Sequence, residues 1–126
     1  MEISNDDQNE FKFIIKQPLF SKARPRLTRC GKAYMPAAYK DAQSRLKQEL
    51  VKQWSQPPLE GPVWLDIVVQ GEGRGDLDNI AGAFMDAAQS ILFTDDRVSV
   101  ISRLTIEWAK SSKADSQWIV RIIPLR

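Results

Sequence analysis

Histidine is missing from this chain altogether, and cysteine occurs only once, at Cys30. The first absence excludes Ser-His-Asp and Cys-His nucleophile systems, histidine-centred nucleases and histidine-ligated zinc. The second excludes an internal disulfide and suits a reducing cytosol. Without a histidine beside it, Cys30 is also a poor candidate for a reactive or metal-binding thiol. No apolar run approaches the roughly 20 residues of a membrane span. Met1 to Glu10 carries four acids and no base, the reverse of a signal peptide's basic start and apolar middle. Its polarity and lack of periodicity predict disorder over 1–10. Hydrolytic chemistry in such a chain has to rest on carboxylates, lysines and cation-activated water.

What remains is the composition of one globular domain over 11–126, 43% hydrophobic and 27% charged, with room for a single core. The net charge of +2 hides a strong asymmetry. Segment by segment it runs −4 over 1–10, +9 over 11–53, −7 over 54–96 and +4 over 97–126. An acidic block between basic ones is the pattern of an enzyme that holds a polyanion outside and a cation inside. Milder versions arise from solvated charged faces.

The order of elements follows from periodicity and breakers. Phe11 to Lys16 reads as a short strand ended by Pro18. Ser21 to Lys32 has five bases and no acid, with Pro25 and Gly31, and reads as an extended loop. Arg24, Arg26, Arg29 and Lys32 make it a candidate phosphate-binding arm. Pro36 suits the first turn of a helix running to about Trp54, with Tyr39, Leu46, Leu50 and Trp54 as its apolar stripe. Val63 to Gln70 is the clearest strand, apolar enough for a central position. Gly71 to Gly75 is a flexible turn that lacks the Gly-Lys-Ser/Thr ending of a nucleotide loop. A second helix is expected from about Asn79 to Ile91, with Ile80, Phe84, Ala87, Ala88 and Ile91 inward. Val98 to Trp108 alternates as a half-buried strand, and Gln117 to Ile123 reads as its hairpin partner. The sum predicts an α+β domain: two layers, with two main helices packed on a mixed sheet.

The chemistry concentrates in Gly75-Asp76-Leu77-Asp78-Asn79 and in Thr94-Asp95-Asp96-Arg97. In an extended chain Asp76 and Asp78 project to one side, and Asp78 or Asn79 would cap the helix that follows. If that helix returns the chain, Asp95 and Asp96 come back towards the first pair. Converging carboxylates repel unless a cation lies among them, and oxygen ligands select hard divalent ions. The expectation is an acidic metal site acting on phosphodiesters, with Arg74 joining the arm in holding flanking phosphates. The same residues would also serve as a helix cap and a turn before a strand. Asp86 stands one turn past Gly82, and Phe84 and Met85 are core, dimer-contact or DNA-wedge candidates.

In this arrangement the chain resembles the RusA family of Holliday junction resolvases. The resemblance rests on the arginine-proline segment near the start, the basic helix, Asp76-Leu77-Asp78-Asn79, Asp86 and Asp95-Asp96. It implies a RusA-like fold and a homodimeric, Mg²⁺-dependent endodeoxyribonuclease, with Mn²⁺ as a substitute ion. Such an enzyme resolves four-way DNA junctions by paired incisions in recombination and repair, and is cytoplasmic, nucleoid-associated or phage-encoded. It also implies that Asp76, Asp78 and Asp96 are catalytic metal ligands, with Asp95 beside them. One departure stands out: the family pattern often has a lysine four residues after the second aspartate, where this chain has Gly82. Lys22, Lys40 and Arg97 are the candidates to stand in for it. The alternatives are a branched-DNA-binding protein that cuts little or not at all, and a nuclease that prefers forks or flaps.

Overall fold

The computed structural model describes residues 10–125. The acidic stretch expected to be disordered therefore lies outside the described residues, apart from Glu10. Strand β1 (Phe11–Ile15) is followed by a two-residue pair, β2 (Arg26–Leu27) and β3 (Ala33–Tyr34). Helix α1 (Ala37–Gln53), strand β4 (Val63–Gly71), helix α2 (Leu77–Ala88), strand β5 (Ile101–Lys110) and strand β6 (Gln117–Pro124) complete the order. The main sheet runs β1-β6-β4-β5. β6 is antiparallel to both β1 and β4, whereas β4 and β5 are parallel. The domain is α+β, with two helices on a mixed four-stranded sheet, as the sequence leads one to expect.

β4 organises the sheet. Its side chains alternate strictly between buried and half-buried, from Val63 to Gly71, because one face lies under the helices and the other does not. Leu65, Ile67 and Val69 are fully buried against Trp118, Val120 and Ile122 of β6 and Ile15 of β1. Leu46 and Leu50 of α1 and Ile80 and Phe84 of α2 close this core from the other side. Each such side chain contributes roughly 1.5–3 kcal/mol of transfer free energy. Phe84 is therefore a core residue, and Met85 packs partly buried against the same cluster. Neither is placed as an exposed wedge.

Three expectations about the elements are corrected. β6 does not form a hairpin with β5: β4 lies between them. The short link 111–116 crosses the end of β4, where the Ser111 amide donates to the Gly71 carbonyl at 3.1 Å. Two strand spacings, roughly 10 Å, are within reach of such a link, so its shortness does not demand a hairpin. Next, β5 starts at Ile101 and is an edge strand: Leu104 and Trp108 are each 40% exposed and Val98, ahead of it, is 84% exposed. Finally, the basic segment is not a bare loop. β2 and β3 pair antiparallel, and the turn is closed by the Thr28 amide to Lys32 oxygen (2.9 Å), the Gly31 amide to Thr28 oxygen (2.9 Å) and the Lys32 amide to Thr28 Oγ1 (3.0 Å). Gly31 takes φ +80° there, a conformation that suits glycine.

The face of the sheet away from the helices carries its own polar network. Arg121 donates to Glu10 through Nε (2.8 Å) and Nη2 (3.1 Å), and to Asp66 through Nη1 (3.1 Å). Thr105 donates to Asp66 and accepts from Trp64 Nε1, and Arg103 stacks on the Trp64 ring at 4.0 Å. These groups tie β6, β4 and β5 together across a face that no helix covers. Among the described residues no helix is long and apolar enough to cross a membrane.

Candidate active site

Parallel pairing of β4 with β5 decides where the acidic residues stand. The chain leaves the end of β4 at Gly71, turns, and enters α2, which carries it back along the sheet to where β5 can start beside Val63. Asp76 and Asp78 thus sit at the finishing end of β4. Asp95 and Asp96 follow α2 near the starting end, where Phe93 bridges Leu59 and the Thr94 amide donates to the Leu59 carbonyl at 3.0 Å. The 12 residues of α2 separate the two pairs by roughly 18 Å. Among the described residues no three acidic, histidine or cysteine side chains form a group able to hold a metal ion. The convergence expected within one chain is not formed, because it assumed a helix that returns the chain to its own start.

The first pair is set up by its turn. Gly75 takes φ +83°, and the Cβ of any other residue there would run into Ser21 Oγ. Asp76, extended at φ −102° and ψ 142°, is the N-cap of α2, so the helix begins at Leu77 rather than near Asn79. Its carbonyl accepts the Ile80 amide at 3.0 Å, but its carboxylate makes no capping hydrogen bond. Asp78 lies inside the first turn, exposed, with Oδ1 accepting the Asn79 amide at 2.9 Å. The amide end of a helix favours negative charge, which steadies two carboxylates side by side. Both present oxygen donors that no basic side chain occupies among the described residues. That donor set fits a hard divalent cation, with one chain supplying two of the ligands.

Asp95 is differently engaged. Its Oδ1 accepts the Arg97 amide at 3.1 Å and its Oδ2 pairs with Arg97 Nε at 3.0 Å. Desolvation works to raise its pKa, but the amides of Arg97 and Asp96 and the Arg97 charge outweigh it and hold the carboxyl below its ordinary value. Arg97 is paired within the Asp95–Asp96 turn, at the far end of α2 from Gly82 of its own chain.

Lys22 does reach that position. Its amide donates to the Asn79 carbonyl at 2.8 Å, docking the base of the basic arm on the first turn of α2. Its side chain then lies over Gly82, whose missing Cβ would sit 3.5 Å from Lys22 Cδ. The ammonium ends on Asp86 Oδ2 at 3.3 Å. Asp78, Gly82 and Asp86 share one helix face, so the lysine stem covers the bare glycine between two carboxylates. Asp86 also accepts from Tyr39 at 3.4 Å, and Gln43 spans from Tyr39 (2.9 Å) to the Ala83 carbonyl (2.8 Å). Burial and the Asp86 charge push the Tyr39 hydroxyl above its ordinary pKa. Lys40 and Lys47 line an open cavity beside this cluster. Sequence reasoning named Lys22 only as one of three candidates, because nothing local ties residue 22 to residue 82.

The other basic residues expected to hold phosphates are exposed. Arg24, Arg26, Arg29 and Lys32 are all exposed on the paired arm that springs from the Lys22–Asn79 contact. Arg74, also exposed, lies two residues before Asp76.

A sequence-family model described as Endodeoxyribonuclease RusA matches residues 17–122. A search of curated proteins gives no match.

Proposed function

The chain belongs to the RusA family of endodeoxyribonucleases, whose activity is directed at Holliday junctions, and on that premise we propose a homodimeric, divalent-metal-dependent resolvase that makes paired incisions. The observation that carries this reading is the free pair of carboxylates, Asp76 and Asp78, at the amide end of α2 with a lysine and a basic arm docked on the same turn. Mg²⁺ is the proposed ion and Mn²⁺ its substitute. Asp76 and Asp78 would hold it together with Asp96, Asp95 serving beside Asp96. Because α2 keeps the two pairs apart within one chain, the second pair is proposed to come from a second copy. Two-fold symmetry supplies that exchange twice, giving two composite sites for two opposed strands.

The bound ion supplies Lewis-acid stabilisation of charge on the scissile phosphate. The chain's own groups do the rest. Arg24, Arg26, Arg29, Lys32 and Arg74 are proposed to hold flanking phosphates, and so to set the register of the strand. Lys22 is proposed to take the role that Gly82 leaves open. Its stem crosses at Gly82, one turn from each carboxylate; swinging from Asp86 towards Asp78, two helical turns or about 12 Å along the same face, the ammonium offers positive charge where the reaction develops negative charge. Asp86 and Tyr39 position that lysine in the absence of DNA.

The test is complementation. Asp76→Asn and Asp96→Asn proteins should each fail to nick a four-way junction in Mg²⁺. Mixed and allowed to exchange subunits, they form heterodimers in which one composite site is intact, so nicking should return. No recovery on mixing would contradict a shared site. A second reading, a junction-binding protein without turnover, is favoured by the absence, among the described residues, of a three-carboxylate group in one chain. It predicts unchanged junction binding and no nicks from the unmodified protein.

A further inference from the structure

Immediately beside Asp76 lies a cavity of about 190 Å³ lined by Gly73, Arg74, Gly75, Leu77, Ile80 and Trp108. Gly75 and Leu77 flank Asp76 in the chain, so the cavity opens next to the first carboxylate pair. Of its apolar lining, Trp108 and Leu77 are each 40% accessible and Ile80 is buried. Trp108 stands near the end of edge strand β5, level with Val69 of β4. Its ring is not free to turn: Nε1 donates to the Gly71 carbonyl at 3.2 Å. The ring edge also rests on Gly73, where an added Cβ would sit 3.0 Å from Cζ2. Arg74 lines the same cavity, and among the described residues its guanidinium has no ion-pair partner.

A pinned, accessible indole sharing a cavity with apolar side chains and a cation is the composition of a stacking site for a nucleobase. We infer that this slot takes an unstacked base of the DNA strand whose phosphate lies at Asp76, with Trp108 as the stacking face and Arg74 on the adjoining phosphate. The inference rests on the nuclease reading for the identity of the polymer. It adds a base-binding subsite to a site otherwise built from phosphate contacts. Unpaired bases are available where duplex arms meet, so the slot would favour branch points over continuous duplex. Trp108 is a positioning residue here, and Gly73 keeps the slot open.

The experiment measures binding, in EDTA, of synthetic four-way junctions that each lack one base at a successive position around the branch. Trp108→Ala should weaken binding of the intact junction on the order of tenfold, within the range for one stacked base, and Trp108→Phe by much less. On the one junction that lacks the base in question, wild type and Trp108→Ala should bind alike. Gly73→Ala, which keeps Trp108 but presses on its ring, should show the same base-dependent loss. A Trp108→Ala deficit equal on every junction, or no deficit at all, would overturn the inference. So would a change in sedimentation on Trp108→Ala, since the ring would then face a second copy of the chain. Base-dependent binding by a wild-type protein that never nicks would sink the nuclease reading and leave the slot standing. Nicking with no Trp108 coupling would do the opposite.

Discussion

Gly75→Ala perturbs the turn that delivers Asp76, and its cost can be worked from the geometry. At φ +83° an L-residue is strained by roughly 1–2 kcal/mol relative to glycine. Its methyl group would also meet Ser21 Oγ, forcing aside a residue whose neighbour, Lys22, bonds Asn79 at 2.8 Å. Weakening that bond adds about 0.5–1.5 kcal/mol, for a total of about 1.5–3.5 kcal/mol. Urea unfolding reads this directly, as a midpoint lowered on the order of 1 M for a small domain. In a Ser21→Ala background the obstructing oxygen is gone, and the cost should fall to the backbone strain alone. The coupling between the two substitutions should thus be about 1 kcal/mol. A Gly75→Ala cost below about 0.5 kcal/mol, or an equal cost in both backgrounds, would refute this reasoning.

Two further predictions concern other parts of the structure. Lys22→Met keeps the stem over Gly82 but removes the ammonium; nicking should fall ten- to a hundredfold while junction binding changes little, and unchanged nicking would remove Lys22 from the chemistry. The hydrogen-bonded Arg121 guanidinium holds the Glu10 carboxyl below its usual 4.5. A carboxylate with a lowered folded pKa contributes stability above its unfolded value and loses it as pH falls through the folded one. Urea midpoints should therefore drop below about pH 4.5 more steeply in wild type than in Glu10→Gln, and parallel acid limbs would show that the pair adds nothing to stability.

How much of this was legible in the sequence depends on how local the signal was. α1 was readable almost to the residue, from Pro36 before its first turn to the break after Gln53, because proline and apolar periodicity act locally. β4 was readable for the same reason, its branched run being what a sheet interior selects. Its partner was not. The alternation of Leu104, Ile106 and Trp108 reports a half-covered strand, but nothing in it says whether β4 or β6 lies alongside. That one choice, parallel or hairpin, moved Asp95 and Asp96 to the other end of the sheet. The N-cap was also misplaced by a short distance with a large consequence: Asp76 rather than Asp78 begins α2, which turns two residues of an imagined strand into a cap and a first turn. Lys22 over Gly82 and Trp108 against Gly73 are contacts between distant segments, made possible by glycines whose meaning appears only once their neighbours are known.

The most direct measurement incubates the protein with an end-labelled synthetic four-way junction, with and without Mg²⁺, beside a linear duplex of the same sequence. The account predicts paired, Mg²⁺-dependent nicks near the branch and none in the duplex. Tight junction binding without cuts, in Mg²⁺ and Mn²⁺ alike, would contradict it.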